Sequence, residues 1–379
     1  MASKLPVYLD YASTTPVDER VLKIMMPYFH QHYGNAASKS HAFGWIANEA
    51  VQNAREQIAA LIKCSTEEIV FTSGATESVN LALRGITENS KQKKHIISFA
   101  TEHRAVLDTL QALEKQGFLI SILAVSEDGQ IDLEKIENHI RPDTLMIVCM
   151  YANNETGIIY PVKEIGKIAE KHQLFFFCDA TQAVGKIKID VNDDIIHMMA
   201  FTAHKMYGPK GVGALYVRRK NPRIELMPQI TGGEQENNRR SGTLNVPGIV
   251  GFGEAAALCL HHMEEEEKLI RQLKKQIEDH TLNHLGAHIH GHNQHRLPHI
   301  SNIFFPSYKG KSLIPDLCMS LALSAGSACN SGHTQGSHVL KAMGLSPDEI
   351  SKSLRISIGR FTTQEDISIV TNSLNKIIG

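Results

Sequence analysis

Short apolar runs alternate with helix-like segments through the first two-thirds of the chain. The apolar runs predict strands at Glu68–Thr72, His95–Phe99, Leu145–Met150, Leu174–Cys178, Ile195–Phe201 and Gly213–Val217. The segments between them predict helices at Gly44–Leu61, Ser78–Leu83, Ala105–Gln116 and Val162–His172. Because strands that alternate with helices form right-handed crossover units, this order predicts an α/β fold with a mostly parallel sheet.

The last third of the chain has a different pattern. Residues Gly248 to Leu285 form a long, charged, helix-like segment, which we expect to leave the first domain and open a second. The remainder mixes strand-like and helix-like stretches, at Ile300–Phe305, Leu317–Leu323, Val339–Met343 and Leu354–Ile358. This mixture predicts a smaller α/β domain at the C-terminal end.

Composition and charge exclude several classes of protein. The 379 residues are 42% hydrophobic and 21% charged with a net charge of −1, which is ordinary for a globular protein and gives no basic footprint for direct binding of nucleic acid. The absence of a long apolar run and of a secretory signal predicts no membrane span. The six cysteines form no C-x-x-C pair. We therefore expect free thiols and a cytoplasmic location.

Polar residues follow five successive predicted strands. The segments that leave these strands read SGATES (73–78), ATEH (100–103), YANNETG (151–157), DATQ (179–182) and TAHK (202–205). Ligands of open parallel sheets bind beyond the carboxyl ends of the strands. The repetition predicts a functional site at this edge of the sheet, although any one such segment is also typical of an ordinary loop.

Three of these segments together predict a site for pyridoxal 5'-phosphate. The Gly74–Thr76 turn opens a helix, whose free N–H groups suit a phosphate. Asp179 ends a buried strand and can hold a ring nitrogen protonated, and Lys205 can form the Schiff base. Each residue alone has a simpler explanation, namely a helix cap, a loop carboxylate or a surface lysine. Their combination favours the cofactor.

The motifs along nearly the whole chain resemble those of one family. They are YLDYASTTP (8–16), GNAASKSHAFG (34–44), FTSGATES (71–78), TEH (101–103), NNETG (153–157), DATQAVGK (179–186), HKMYGPKGVGALYVR (204–218), RSGT (240–243), GSAC (326–329) and LRISIGRFTT (354–363). As a set and in this order, they resemble the cysteine desulfurases of the iron–sulfur cluster and nitrogen-fixation type, a branch of the class V aminotransferase group.

The resemblance implies a fold and an assembly. The fold is that of pyridoxal-phosphate enzymes of fold type I, with a mostly parallel seven-stranded sheet in the large domain. The cofactor-binding domain would span residues 15–257, and residues 1–14 and 258–379 would form the small domain with the catalytic cysteine. The active form would be a homodimer.

The resemblance also implies roles for single residues. Lys205 would carry the cofactor, Asp179 would pair with its ring nitrogen, Gln182 would reach its ring hydroxyl and His103 would stack on the ring and move protons. The phosphate would be held by Ala75, Thr76, Thr202 and His204, and by Thr243 of the second subunit. Asn154 would contact the cofactor and, with Arg355, hold the substrate carboxylate. From the residues alone, Arg355 is also typical of a half-buried strand.

Cys329 determines the reaction that the resemblance implies. It lies in SAGSACNSGHTQGS, where small polar neighbours suit a reactive thiolate, although an idle exposed thiol fits the sequence equally well. In the family reading, the Cys329 thiolate takes sulfur from L-cysteine as a persulfide, L-alanine is released and sulfur passes to an iron–sulfur scaffold or a sulfurtransferase. We expect Cys318 to lie in an apolar strand and not to replace Cys329.

The chain departs from the family pattern in two places. Glu234, Asn237 and Asn238 stand in the run GGEQENNRRSGT where the family usually has other residues, and Asn330 replaces a common threonine. The chain stops at Gly379, where several relatives carry a tail that docks the scaffold, so scaffold docking is the least secure inference.

Alternatives remain for one motif and for the activity. The stretch HIHGHNQH (288–295) fits a surface hairpin better than a metal site, and we expect no metal. A selenocysteine lyase or an aminotransferase of the same group would differ in its products. A non-catalytic binding platform would have no need for Lys205, Asp179, His103, Arg355 and Cys329 together.

Overall fold

The computed structural model describes residues 5–90, 92–291, 295–324 and 336–379. Its strands are β1 Val7–Tyr8, β2 Ile69–Thr72, β3 His95–Phe99, β4 Leu119–Leu123, β5 Thr144–Val148, β6 Phe175–Asp179, β7 Met198–Thr202, β8 Gly213–Val217, β9 His288–Ile289, β10 Ile300–Phe304, β11 Leu321–Ala322 and β12 Ser353–Ser357.

The helices cover much of the remaining described chain. They are α1 Glu19–Met25, α2 Pro27–His30, α3 Ala42–Ile62, α4 Ala75–Asn89, α5 Arg104–Glu114, α6 Leu133–Asn138, α7 Val162–Lys171, α8 Val246–Leu285, α9 Leu313–Leu317, α10 His338–Ala342, α11 Pro347–Ser351 and α12 Gln364–Ile378. Short 3₁₀ turns lie at Thr66–Glu68, Ala203–Lys205 and Gln235–Asn238. Among the described helices, none combines the length and the apolar character needed to cross a membrane.

The central sheet has seven strands in the order β2-β8-β7-β6-β5-β3-β4. Pairs from β7 through β4 are parallel, and β8 runs antiparallel to both of its neighbours. The inner strands of this sheet are buried on both faces, which explains why they appear as continuous apolar runs in the sequence. The predicted fold class, with its mostly parallel seven-stranded sheet, is confirmed.

A second group of strands lies toward the ends of the chain. The strands β12, β10 and β9 form an antiparallel sheet, and β1 pairs in parallel with β11. Their core draws on both ends of the chain, from Leu9 to Ile378. The predicted division at residues 14/15 and 257/258 stays a prediction. Strand β9, which lies in the described part of HIHGHNQH, pairs antiparallel with β10 as in a hairpin.

One long element agrees with the sequence-based expectations, and two details differ from them. The long helical segment is one continuous helix, α8, which begins at the Asn245 cap and ends at Gly286, where φ is 58°. Strand β4 was not predicted; among the described strands it pairs with β3 alone, and most of its residues are not buried. The predicted strand Leu317–Leu323 is wrong: helix α9 ends at Leu317, and only Leu321–Ala322 pairs as a strand.

Candidate active site

A cavity of about 450 Å³ lies at the edge of the sheet where β2, β3, β5, β6 and β7 end. Each of these strands leads into a segment that lines it, which is the convergence that the strand-end pattern predicts. The lining includes these predicted site residues: Ala75, Thr76, His103, Asn154, Asp179, Gln182, Thr202, His204, Lys205 and Arg355.

The turn between β2 and α4 forms one wall of the cavity. Gly74 precedes the first residue of α4 with no side-chain cap, so the first N–H groups of this helix are not covered by a capping side chain. Gly213 of β8 allows the turn to lie close to the sheet, since a Cβ atom there would be 2.7 Å from Gly74 Cα. Lys210 also lines the cavity, so this wall suits an anion.

Asp179 and His103 also line the cavity. Asp179 is the last residue of β6, is buried, and its Oδ1 accepts a hydrogen bond of 3.0 Å from Thr181 N. His103 caps α5, and its Nδ1 accepts from Ala105 N at 3.1 Å. Burial lowers the pKa of His103, with Asp179 opposing and Lys205 adding to the shift. The ring is therefore neutral at pH 7, with its proton on Nε2.

Lys205 lies on the 3₁₀ turn that follows β7, rather than on a helix of normal length. Its Nζ donates to the backbone carbonyls of Ala12, at 2.5 Å, and Ser13, at 2.6 Å. The Gln182 side chain donates to the same Ala12 carbonyl at 2.9 Å. These contacts fix the direction of the lysine side chain. They come from a distant segment, since Ala12 precedes Lys205 by 193 residues.

His204 stands beside the lysine and is held as a neutral ring. Its Nδ1 lies 3.1 Å from Thr14 Oγ1. Burial lowers its pKa to about 4, and the charges of Lys205 and Lys210 act in the same direction. A neutral ring next to two lysines can donate or accept a hydrogen bond without adding a third positive charge.

Arg355 is buried in β12, although an arginine is rarely buried without partners. Its Nη1 donates to Asn154 O at 3.1 Å. Its Nη2 donates to Asp10 Oδ1 and Ser13 Oγ, both at 2.6 Å, and to Ser324 Oγ at 2.7 Å. The guanidinium is thus oriented at the cavity wall by its own chain.

One predicted site residue in the described part of the chain does not line the cavity. Thr243 is exposed and lies outside the lining of the cavity. Its neighbour Arg240 pairs with the lining residue Glu77 at 2.9 Å. Cys329 and Asn330 lie outside the described residues. Cys318 is exposed just after helix α9, so the expectation that it lies in an apolar strand is wrong.

The N-terminal segment contributes contacts to the site that the strand-end pattern did not predict. Asp10, Ala12 and Ser13 all contact site residues. The motif YLDYASTTP contains them, and its dense small and polar residues were the available signal. The pattern of strand ends could not reveal them, because this segment reaches the cavity through the pairing of β1 with β11.

The cavity fits a flat cofactor that carries an anionic group. A helix N-terminus with Thr76 and His204 suits the anion, and Asp179 suits a protonated ring nitrogen. Asn154 Oδ1 and Thr181 Oγ1 are buried without a hydrogen-bond partner among the described residues. Buried polar atoms are normally satisfied, so both positions favour a polar ligand in the cavity.

Comparison with known proteins agrees with this geometry. The family model Aminotransferase class-V matches residues 7–370. Cysteine desulfurase IscS of Anaeromyxobacter sp. (strain Fw109-5) is 49% identical over 97% of this chain and 91% of its own length. The solved structure of a NifS-like protein superposes with a TM-score of 0.89 at 34% identity, covering 98% of this chain and 99% of its own.

A structure described as SspA in complex with cysteine superposes with a TM-score of 0.84 at 35% identity, over 94% of this chain and 100% of its own. The chain therefore belongs to the class-V aminotransferase family. Within that family its place is among the cysteine desulfurases, as the full-length similarity establishes.

Proposed function

We propose that the protein is a pyridoxal 5'-phosphate-dependent cysteine desulfurase, which converts L-cysteine to L-alanine and carries the sulfur as a persulfide on Cys329. The observation that carries this proposal is the meeting of Lys205, Asp179, His103 and Arg355 around one cavity. Family membership supports the same activity.

The cofactor would be held at three places. Asp179 would pair with the ring nitrogen, and Gln182 would reach the ring hydroxyl. The phosphate would contact the N-terminus of α4 at Ala75 and the side chains of Thr76, Thr202 and His204. When bound, the cofactor supplies an electron sink for the electron pair left at the substrate Cα.

The substrate would be oriented by its carboxylate. Arg355 presents a planar fork that suits bidentate pairing. Asn154, whose backbone carbonyl accepts from Arg355, has a side-chain oxygen without a hydrogen-bond partner among the described residues. The fixed orientation of Arg355 lowers the cost of ordering the side chain when the substrate arrives.

Proton transfer would fall to Lys205 and His103. Lys205 Nζ takes the proton from the substrate Cα, and the carbonyls of Ala12 and Ser13 stabilise its charged form. The neutral His103 ring can accept or donate a proton at the same cavity.

Sulfur transfer would use the Cys329 thiolate. A bond forms between Cys329 Sγ and the substrate sulfur, the Cβ–S bond breaks and its electron pair stays on carbon, which is protonated to give L-alanine. The persulfide then passes to a sulfur-accepting protein, either an iron–sulfur scaffold or a sulfurtransferase for thiolation. Such a role suits the predicted cytoplasmic location.

We also propose a homodimer in which Thr243 completes the phosphate site of the partner subunit. Eight large apolar side chains are exposed between residues 22 and 46, which we name the N-terminal apolar patch: Leu22 47%, Ile24 44%, Met26 47%, Phe29 58%, Tyr33 67%, Phe43 49%, Trp45 58% and Ile46 40%. A concentration of this kind is typical of a protein interface. Thr243 is itself exposed, so a partner can reach it.

Product analysis tests the function directly. The holoenzyme with L-cysteine and dithiothreitol, a thiol reductant that releases the persulfide sulfur as sulfide, should yield alanine and sulfide in equal amounts. Borohydride should attach the cofactor to Lys205 rather than Lys210. Peptide mass mapping should find one extra sulfur on Cys329, and Cys329→Ser should lose it while Cys318→Ser keeps it. A keto acid product would indicate an aminotransferase, and sulfur found on Cys318 instead would reject the role of Cys329.

A further inference from the structure

One buried hydroxyl group, that of Thr15, links the two sides of the turn that carries Lys205. Thr15 Oγ1 donates to His204 O at 3.0 Å and accepts from Tyr207 N at 2.8 Å. The backbone N–H of Thr15 donates to the same His204 carbonyl at 2.9 Å. A single side chain therefore bridges the backbone immediately before Lys205 to the backbone two residues after it.

This bridge lies in the interior of the protein. Thr15 is 1% exposed and Tyr207 is 0% exposed. Tyr207 also has a left-handed backbone, with φ at 65°, which is unfavourable for a residue with a large side chain. A conformation of this kind persists only where its surroundings hold it, and the Thr15 hydroxyl supplies a hydrogen bond at that residue.

The other end of the turn is fixed by the tyrosine ring. Lys186 Nζ and Arg360 Cζ each lie 4.1 Å from the centre of the Tyr207 ring. The tyrosine hydroxyl accepts from Arg360 N at 2.6 Å. Because Tyr207 is held by its ring, the Thr15 bridge sets where the remaining part of the turn, with Lys205, can lie.

We propose that Thr15 is a positioning residue for Lys205, which it holds through the backbone on both sides. The proposal rests on the proposed function, in which Lys205 moves the substrate proton. A lysine that transfers a proton must bring Nζ within hydrogen-bond reach of the carbon that it deprotonates. The Thr15 hydroxyl fixes the position of the Lys205 backbone. The Ala12 and Ser13 carbonyls fix the direction of its side chain.

The matched variants are Thr15→Val and Thr15→Ser in the holoenzyme. Valine keeps the shape and removes the hydroxyl, whereas serine keeps the hydroxyl and loses one methyl group. We expect Thr15→Val to lower kcat for L-cysteine roughly ten- to a hundredfold, because small displacements of a reacting group cost rates of that order. The KM should stay within about twofold, since Arg355 is untouched. Thr15→Ser should restore most of the rate.

Two readouts separate positioning from a general loss of stability. Cysteine deuterated at Cα should show a larger isotope effect on kcat in Thr15→Val than in the wild type, because proton removal becomes the slower step. The midpoint of the pH titration of the cofactor absorbance should also move in Thr15→Val and not in Thr15→Ser. A stability effect alone would lower the melting temperature and leave both readouts unchanged.

A third variant covers a failure of Thr15→Val to fold. Thr15→Ala removes the hydroxyl without placing a methyl group against two backbone polar atoms, and the same kinetic outcomes are expected of it. The proposal is overturned if the folded variant without the hydroxyl keeps the wild-type kcat and isotope effect, or if Thr15→Ser loses activity equally. A wild-type enzyme that makes no alanine would instead reject the proposed function.

Discussion

Arg355 and Asp10 form a buried ion pair at the cavity, with Arg355 Nη2 2.6 Å from Asp10 Oδ1. The guanidinium side chain is 1% exposed and the carboxylate 18%. A buried arginine that already has a counter-charge keeps its position and charge in the absence of substrate. The site is therefore prepared for a carboxylate before one arrives.

Arg355→Ala should weaken substrate binding more than it slows the chemistry. Loss of a charge-assisted bidentate contact is worth about 1.5–3 kcal/mol. We expect the KM for L-cysteine to rise roughly ten- to a hundredfold at about 1.4 kcal/mol per decade. Steady-state kinetics measure this change. Arg141→Ala is the control, since Arg141 forms an exposed pair with Asp143; an unchanged KM in Arg355→Ala would place the carboxylate elsewhere.

Much of the site could be predicted because parallel strands end at one edge of a sheet. Asp179 and Lys205 come together for that reason, since β6 and β7 are neighbours in register. A carboxylate and an amine that directly follow buried strands also indicate a functional site more clearly than apolar side chains would. The prediction needed only local apolar runs and the residue types that follow them.

The remaining features depend on contacts that no local pattern contains. Asp10 and Ser13 reach Arg355 through pairing between the two ends of the chain. The run Leu317–Leu323 is apolar enough for a strand, but its first residue, Leu317, ends helix α9 and packs in the core that draws on both ends of the chain. Only Leu321–Ala322 of this run pairs as a strand. Tertiary packing there decided between two structures that the sequence pattern allows.

Glu236→Ala should destabilise the fold strongly. Glu236 is buried, pairs with Arg55 Nη2 at 2.7 Å and also accepts from Phe71 N at 2.7 Å. Removing one partner leaves a buried charge unpaired, at a cost of about 3–5 kcal/mol in the free energy of unfolding. Chemical denaturation measures that cost.

Glu234→Ala is the matched control for this prediction, because Glu234 is exposed in the same loop. It should change the free energy of unfolding by less than about 0.5 kcal/mol. Equal stabilities for the two variants would show that the Arg55–Glu236 pair contributes little.

Acidification should destabilise the protein through buried histidines. Burial lowers the pKa of His197 to about 4, and Arg218 adds to the shift. The unfolded chain has an ordinary histidine pKa of about 6.5, so it binds more protons than the folded state between the two values. Stability should therefore fall as the pH decreases from about 6.5 toward 4.

Melting temperatures across this pH range test the prediction, with His197→Asn as the comparison. Asparagine offers a neutral acceptor in place of Nδ1, which accepts from Phe176 N at 2.9 Å. The variant should lose less stability between pH 7 and about pH 5 than the wild type. An identical pH dependence in both proteins would exclude His197 as a contributor.

Charged substitutions in the N-terminal apolar patch should disrupt the dimer. Phe29→Asp combined with Trp45→Asp places two charges where the proposed interface would exclude water. We expect light scattering to report a dimer for the wild type and a monomer for the variant. The monomer should lose activity, because in the proposed dimer Thr243 completes the phosphate site of the other subunit.

Leu282→Asp is the control for the patch. Leu282 is 43% exposed on α8, outside the patch, and its substitution should leave the mass unchanged. A wild-type protein that is monomeric and fully active would contradict the shared site. A dimer that survives both patch substitutions would place the interface on another surface.

The contacts between the two ends of the chain also determine when the site can form during synthesis. Ser13 bonds to Arg355 across 342 positions, and β1 pairs with β11. At about 5–20 residues per second, a ribosome needs roughly 20–70 s to deliver the later partner after the earlier one. The Ala12 and Ser13 carbonyls, which orient Lys205, belong to the segment that is synthesised first of the two. The segment with Asp10, Ala12 and Ser13 therefore completes its contacts only after Arg355 has been synthesised, and the site around Lys205 is completed only then.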